Sequence, residues 1–334
     1  MKRVAINGLG RIGRLVLREY LRGGYDDIDI VAANDLVSID NLAYLLKFDS
    51  VHGRAGFPVE LDGTGALRLN GRSIPIHAQP DPARLPWSEL GIDVVIDASG
   101  RFKKRADAMR HINAGARRVL ISAPSPDADV TIVMGVNAAD FDPDRHLILS
   151  NASCTTNSLA PVMKVLLDNF GVEMAHVTTV HAYTISQNMV DGAKDSMIRG
   201  RAGAVNIIPT STGADKATVA VLPALKDRLA AVALRVPVAD GAITDISVEL
   251  GRDASADELN AAFGAAADGA MRGILAISDE ELASSDILGD PHSAIVHALS
   301  TKVIRGRFAK IQVWYDNEFA YAKRCLDMIQ QLPM

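Results

Sequence analysis

The sequence predicts an α/β protein of two domains, and three observations predict it. The chain opens on a buried strand run, Val4-Ala5-Ile6, followed by a glycine-rich turn and a helical pattern. The rest of the first half alternates short apolar strand runs with helical patterns, the mark of a parallel sheet with crossover helices. The second half opens on a long helix and continues with alternating, β-branched strands such as Val177-Thr178-Thr179-Val180 and Ala242 to Leu250. At 334 residues the chain is long enough for two cores.

The opening turn is Gly8-Leu9-Gly10-Arg11-Ile12-Gly13, and a helix continues through Leu15, Val16 and Leu21. In this context Gly8 permits the tight turn, Gly10 lets a pyrophosphate approach the backbone, and Gly13 lets helix and strand pack closely. The second strand, Ile28 to Asn34, ends at Asp35, about 20 residues past the last glycine, the place of the acid that bonds an adenosine ribose. A carboxylate there repels a 2′-phosphate, so NAD is favoured over NADP. Arg11 and Ile12 lie inside the glycine turn, among the candidate cofactor contacts. Ser99 and Ser122 are candidates too, since they close the strand runs Val94 to Ala98 and Arg118 to Ile121 at the carboxyl edge, where open α/β sheets bind ligands. Val59 to Ile76 reads as a β-hairpin insertion, Ala106 to Ala114 as a helix, and Val130 to Met134 as a strand. No linker composition interrupts the chain, so the boundary falls just before Ser153, giving a dinucleotide-binding domain at 1–152.

The second half is organised around Ala152-Ser153-Cys154-Thr155-Thr156-Asn157-Ser158, between a strand run (Leu147 to Leu149) and a helical pattern (Leu159 to Phe170). Cys154 is thereby expected near a helix N-terminus, where unpaired N–H groups favour a thiolate and the oxyanion formed when sulfur attacks a carbonyl. A lone free cysteine is most often a core residue, but small polar neighbours suit a site. His181 closes the Val177–Val180 run, and a Cys–His pair would activate the thiol and supply a general base. The polar segment 185–206, with Lys194, Arg199 and Arg201, reads as a functional loop. The small polar cluster Thr210-Ser211-Thr212-Gly213 is of the kind that holds phosphate. Arg235 brings a cation onto an apolar strand and needs an anion, either a ligand or a carboxylate such as Asp245 or Glu249. Asp257 to Met271 and Tyr321 to Gln331 read as helices, and Phe308 to Tyr315 as a late strand.

A net charge of −5 and a pI near 5.9 give no sign of a dedicated nucleic-acid surface. Two cysteines, Cys154 and Cys325, make no disulfide framework and fit a reducing, cytoplasmic setting. No signal-peptide pattern and no apolar run long enough for a membrane span is present. No cluster with metal-ligand spacing stands out.

Taken together, these residues resemble the phosphorylating glyceraldehyde-3-phosphate dehydrogenase family along essentially the whole chain. The matching stretches include Ile6 to Arg14, Ala33 to Leu36, Lys47 to Arg54, Ser153 to Asn157, His181 to Thr184, Asn206 to Gly213, Arg235 to Pro237 and Trp314 to Phe319. The resemblance implies a Rossmann domain, a catalytic domain at 153–315 with a mostly antiparallel or mixed sheet, and a C-terminal helix at 316–334 packing back on the first domain. It implies reversible NAD-dependent oxidation of D-glyceraldehyde 3-phosphate with inorganic phosphate to 1,3-bisphosphoglycerate, in a homotetramer. It also implies roles: Cys154 the nucleophile, His181 the base, Asn317 the partner of the nicotinamide amide, and Arg11, Ile12 and Asp35 cofactor contacts. Thr184 and Arg235 match one phosphate site. Ser153, Thr212 and Gly213 match the site of attacking phosphate, with Arg199 supplied by the loop and Thr155 beside the nucleophile. Ser158, Ser186, Gly192-Ala193 and Ala320 depart from the common pattern, where relatives have Cys, Asp, a Pro and Gly. The alternatives are an erythrose-4-phosphate dehydrogenase, against which His181 to Thr184 and Thr210 to Gly213 argue, and a catalytically weak redox-sensing paralogue.

Overall fold

The computed structural model describes residues 1–333, so the last residue of the 316–334 segment lies outside the described residues. By its contacts the chain forms two units: Met1–Met134, Ala138–Ala152 and Ala322–Met334 in the first, Gly135–Asn137 and Ser153–Tyr321 in the second.

The first unit holds β1 (Lys2–Asn7), α1 (Arg11–Arg22), β2 (Ile28–Asn34), α2 (Ile39–Lys47), β3 (Val59–Leu61), β4 (Ala66–Leu69), β5 (Arg72–His77), β6 (Val94–Asp97), α3 (Arg105–Asn113), β7 (Arg118–Ile121), β8 (Val130–Thr131) and β9 (Ile148–Ser150). Its sheet runs β3-β4-β5-β2-β1-β6-β7-β9-β8. All neighbours from β5 to β8 pair parallel. From β1 the order runs outward through β2 on one side and β6 on the other. This topological switch point opens a crevice at the carboxyl ends of those strands. Its strands read as unbroken apolar runs because both faces are covered; Val4, Ala5, Ile6, Val94, Val95 and Ile96 are fully buried.

Two local expectations change. The Val59–Ile76 segment is three strands, not a simple hairpin. β3, β4 and β5 pair antiparallel, and β5 then joins the main sheet beside β2 through Ala33–Ile76 and Asn34–His77. The strand expected over Val130–Met134 ends at Thr131. Its one partner, β9, ends at Ser150, so the last shared bond is Ile132 N–H to the Ser150 carbonyl (2.9 Å). Ile132, Val133 and Met134 are buried without being strand.

The second unit holds α4 (Cys154–Phe170), β10 (Val172–Ala182), β11 (Ile208–Thr210), α5 (Ala214–Val221), β12 (Leu229–Val236), β13 (Ala242–Leu250), α6 (Ala256–Asp268), β14 (Leu275–Ser278), β15 (Ala294–His297), β16 (Lys302–Ile304) and β17 (Phe308–Tyr315). The sheet order is β11-β12-β10-β13-β17-β15-β14, with β16 on β17. Two pairs, β10–β12 and β14–β15, are parallel and the rest antiparallel, a mixed sheet. Pairing places Arg235, His181, Ala242 and Tyr315 in one row across four strands. Side chains alternate with period 2, so that row shares a face, and Thr179 and Thr244 sit one pleat below on the same face.

The closing helix, α7 (Phe319–Gln331), starts two residues earlier than its apolar periodicity indicates. The cause is Asp316, whose Oδ1 accepts from the N–H groups of Glu318 (2.8 Å) and Phe319 (2.7 Å). At the far end the Lys2 ammonium donates to the carbonyls of Ile329 (2.6 Å), Gln330 (3.0 Å) and Leu332 (3.0 Å). A cation at a helix C-terminus answers both the orphan carbonyls and the dipole. Lys2→Met is therefore expected to weaken the last turn by about 1–2 kcal/mol. Hydrogen exchange at amides 328–332 should quicken while β1 amides hold; unchanged exchange at both would show that Lys2 is not the cap.

Candidate active site

Of the cofactor residues expected from the sequence, Gly8, Gly10, Asp35 and Ser99 line one crevice. Gly10 is the N-cap of α1, and no side chain caps that end of the helix. Gly8 has φ +96°, and a Cβ there would lie 2.6 Å from the Ser99 backbone. A Cβ on Gly13 would lie 1.9 Å from the Gly8 carbonyl oxygen, so helix and turn pack this closely only with glycine. Asn7, Gly8, Gly10, Asn34, Asp35 and Ser99 line the crevice. Asp35 Oδ2 accepts from Leu9 N–H (2.6 Å) and Oδ1 from Val37 N–H (3.0 Å). The carboxylate is thereby held across the glycine turn, with lone pairs to spare for further donors. The N-cap of α2 is Ser38, so Asp35 is not spent on capping.

Arg11 serves differently from a free phosphate ligand. Its guanidinium is committed to Asp49 (2.6 Å). Against the effect of burial, hydrogen bonds from His52, Val51 and Arg11 hold the Asp49 carboxyl at about 2. Arg11 and Ile12 are the first two residues of α1. Ser122 lies just past β7, its N–H on the Asp97 carbonyl (2.9 Å) and away from the crevice lining. Asn317 follows β17 in the second unit, and its buried Oδ1 has no hydrogen-bond partner among the described residues.

Sequence reasoning missed the buried polar network beneath the crevice. Asp97 Oδ1 accepts from the Ser99 hydroxyl (2.6 Å) and N–H (3.1 Å). Oδ2 accepts from Asn7 Nδ2 (2.9 Å) and lies 3.1 Å from His111 Nε2. Trp87 Nε1–H donates to His111 Nδ1 (2.9 Å), which leaves the His111 proton on Nε2, toward Asp97. Asn34 Nδ2 donates to Asn7 Oδ1 (2.8 Å), and Gln79 N–H to Asn34 Oδ1 (2.8 Å). The ends of β1, β2 and β6 are thus fixed together. The available signal was polar residues (Asn7, Asn34, Asp97) closing strands that are otherwise wholly apolar.

The second unit brings Cys154 and His181 together, with Sγ 3.4 Å from Nε2. Cys154 is the first residue of α4, and Ser153 caps that helix by accepting from Thr156 N–H (3.1 Å). This cap starts the helix five residues before its apolar pattern. Ala152, just ahead, has φ +54°, a left-handed conformation uncommon for a residue with a Cβ and of a kind found at functional sites. The hydroxyl of Tyr315 bonds both Thr155 Oγ1 (3.0 Å) and Thr179 Oγ1 (2.9 Å). It ties the first turn of α4 to the strand carrying His181, and its ring lies edge-on to the imidazole.

Electrostatics departs from the expected thiolate. Burial raises the Cys154 thiol above its ordinary value, outweighing the Arg235 charge and hydrogen bonds from Thr155. Burial first, then Arg235, push His181 down to about 3, against the Ala182 carbonyl and Glu318. The resting pair is a thiol beside a neutral imidazole. Alkylation of Cys154 by a neutral reagent should therefore still be accelerating beyond the ordinary thiol range of about 8.5; a plateau near pH 6 would contradict this.

Arg235 has neither of the carboxylate partners its position suggested, since Asp245 pairs with Lys310 (2.6 Å). Its Nη1 sits 2.8 Å from His181 Nδ1 and 2.7 Å from the Ala182 carbonyl oxygen. Among the described residues no carboxylate forms an ion pair with Arg235 or Arg199. The loop delivers Arg199 to the Thr210–Gly213 turn, with Nε on Thr210 Oγ1 (2.9 Å) and Nη2 on the Ser211 carbonyl (3.3 Å). Thr212 Oγ1 accepts from Ala214 N–H (3.1 Å), and Gly213 caps α5. Thr184 Oγ1 lies 2.8 Å from Ser186 Oγ.

Comparison with known proteins follows the same two parts. Residues 2–105 match "Glyceraldehyde 3-phosphate dehydrogenase, NAD binding domain", and residues 153–317 match "Glyceraldehyde 3-phosphate dehydrogenase, C-terminal domain". The chain is 48% identical over 326 residues to a glyceraldehyde-3-phosphate dehydrogenase of Geobacillus stearothermophilus, covering 98% of this chain and 96% of that protein. It is 49% identical over 328 residues to one of Streptomyces coelicolor, covering 98% and 97%. It is 47% identical over 326 residues to glyceraldehyde-3-phosphate dehydrogenase 1 of Bacillus subtilis, covering 98% and 96%.

Proposed function

The chain belongs to the glyceraldehyde-3-phosphate dehydrogenase family, and from that premise we propose that it oxidises D-glyceraldehyde 3-phosphate to 1,3-bisphosphoglycerate, reversibly and through a thioester on Cys154. The observation that carries this reading is the Cys154–His181 contact of 3.4 Å beside a half-buried guanidinium that no carboxylate neutralises. We assign residues 1–152 to the cofactor, 153–315 to the chemistry, and 316–334 to the closing helix.

NAD, the cofactor of this family, fits the residues present. Gly8, Gly10, Gly13 and the N–H groups opening α1 suit a pyrophosphate, Asp35 the ribose and Ser99 the crevice wall. The orphaned Asn317 Oδ1 suits a nicotinamide amide N–H. When bound, NAD accepts the hydride from the substrate carbonyl carbon. Cys154 Sγ adds to the aldehyde carbon, and N–H groups at the start of α4 face the oxygen that gains charge. His181 Nε2 then takes the hydroxyl proton of the resulting thiohemiacetal as the hydride departs from the same carbon, leaving a thioester. Phosphate oxygen attacks the thioester carbonyl, and the thiolate leaves with its electron pair. Arg235 and Thr184 are assigned to the substrate phosphate. Arg199, Ser153, Thr212 and Gly213 are assigned to the attacking phosphate, with Thr155 fixing the turn. Ile185, Met197 and Val205 are 92%, 90% and 75% exposed on the loop, apolar side chains that suit a surface covered by further copies in a homotetramer. No described helix is long and apolar enough to cross a membrane.

Steady-state kinetics with glyceraldehyde 3-phosphate and erythrose 4-phosphate test the substrate: the former should have the higher kcat/KM, and the reverse order overturns the reading. NAD should be preferred to NADP, because a 2′-phosphate beside the Asp35 carboxylate costs a few kcal/mol, roughly 4 per charge pair at about 4 Å in a partly screened site. Asp35→Asn should narrow that preference at least about tenfold. Equal kcat/KM for both cofactors in the native protein would show that Asp35 does not set the choice.

A further inference from the structure

The contact between Arg235 and His181 places a donor where a general base needs a proton. A guanidinium has only N–H donors and keeps its charge in proteins. Arg235 Nη1 lies 2.8 Å from His181 Nδ1, a contact that is a hydrogen bond only when Nδ1 accepts. The same Nη1 uses its other proton on the Ala182 carbonyl, at 2.7 Å. A neutral imidazole then carries its one proton on Nε2, the nitrogen 3.4 Å from Cys154 Sγ. In this state Nε2 can donate to sulfur or to an oxyanion, but it has no lone pair to take a proton. The other tautomer is also built into the strand. His181 Nδ1 lies 2.8 Å from the Ala182 carbonyl oxygen, which would accept Nδ1–H if Arg235 withdrew. The pleat keeps both options together, because Arg235 and His181 are direct partners in the β10–β12 pairing.

We propose that Arg235 is a switch on His181: substrate phosphate draws its guanidinium away from Nδ1, and the imidazole changes from an Nε2–H donor to an Nδ1–H base. A phosphate dianion offers charge-assisted, two-pronged bonds that a neutral ring nitrogen and a carbonyl do not. The exchange is neutral overall, since Nε2 releases a proton to water as Nδ1 takes one up. The order of events suits the chemistry. With Arg235 in place, Nε2–H and the guanidinium favour thiolate and the first oxyanion. Once phosphate holds Arg235, Nε2 is free to remove the hydroxyl proton. Unphosphorylated aldehydes would meet the nucleophile without the base, a source of specificity beyond binding. The inference rests on the assignment of His181 as base and Arg235 as phosphate ligand.

The test compares single-turnover NADH formation from glyceraldehyde 3-phosphate and from glyceraldehyde, in phosphate-free buffer, for native protein and His181→Asn. The variant should lose roughly 10²–10⁴-fold with the phosphorylated aldehyde, the usual range for general acid–base catalysis, and less than about tenfold with glyceraldehyde. An equal large loss with both aldehydes overturns the switch and keeps the base. No loss with glyceraldehyde 3-phosphate overturns the base assignment itself. A second measurement needs no turnover: ¹⁵N shifts of labelled histidine, with His181 identified by its absence from the variant. Protonation should sit on Nε2 without anion and on Nδ1 with saturating inorganic phosphate. Arg235→Met should show Nδ1–H with no anion present. Protonation on Nδ1 in the native protein under both conditions overturns the proposal.

Discussion

Replacing Cys154 with Ser is expected to lower NADH formation on the order of 10⁴–10⁶-fold, the scale on which an enzyme loses its nucleophile. The hydroxyl is close in size and can occupy the start of α4, so folding should survive. What is lost is nucleophilicity. Burial raises the thiol here, but Arg235 and Thr155 favour its ionised form, and sulfur is far more acidic and nucleophilic than a hydroxyl. A serine hydroxyl would require a base far stronger than an imidazole held near 3. Affinity for NAD should be unchanged, because the crevice of the first unit is built from other residues. Turnover within tenfold of native would remove Cys154 from the mechanism.

The second large effect is expected at His181. His181→Asn keeps a polar side chain in the row beside Arg235 but removes the proton acceptor, and kcat should fall roughly 10²–10⁴-fold. KM for the phosphorylated aldehyde should change far less, since Arg235 and Thr184 remain. The same substitution should alter acid stability with a definite sign. His181 is held near 3 in the folded protein, against about 6.5 when unfolded. The unfolded chain therefore binds a proton first as pH falls below about 6.5, and stability drains through that window down to about 3. The variant lacks this penalty, so its loss of stability between pH 6.5 and 4 should be shallower than that of the native protein. Identical acid unfolding and native kcat would together show that the ring neither titrates nor reacts as described.

The sequence and the structure agree where local chemistry decides. Gly8 and Gly13 are required by sterics within a few ångströms of backbone, so the glycine spacing, set between a strand run and a helical pattern, announces the turn and the fold that follows. Family and fold class follow from such stretches repeated along the chain. Ser153 before Cys154 similarly signals a cap, although the apolar pattern alone starts the helix too late. Long-range geometry is what the chain order conceals. That Arg235 faces His181 and not Asp245 depends on the register of two parallel strands, and no spacing encodes it. The Trp87–His111–Asp97–Asn7 network draws on four separate segments and is visible only once the parallel sheet assembles them. The expected thiolate failed for a related reason. Helix position and neighbours were legible, but the depth of burial, which dominates the thiol, is a property of the packed unit. The early end of the strand at Thr131 belongs here too, because its length is set by β9 and not by its own apolar residues.

The central claim is a thioester on Cys154 that waits for phosphate. It is tested most directly by mixing the protein with NAD and glyceraldehyde 3-phosphate in phosphate-free buffer, then following NADH and the mass of the Cys154 peptide. The account predicts a burst of about one NADH per subunit, an acyl adduct confined to Cys154, and release of that adduct with resumed turnover when phosphate is added. Steady NADH formation without phosphate, or a burst with no adduct on the peptide holding Cys154, would contradict it.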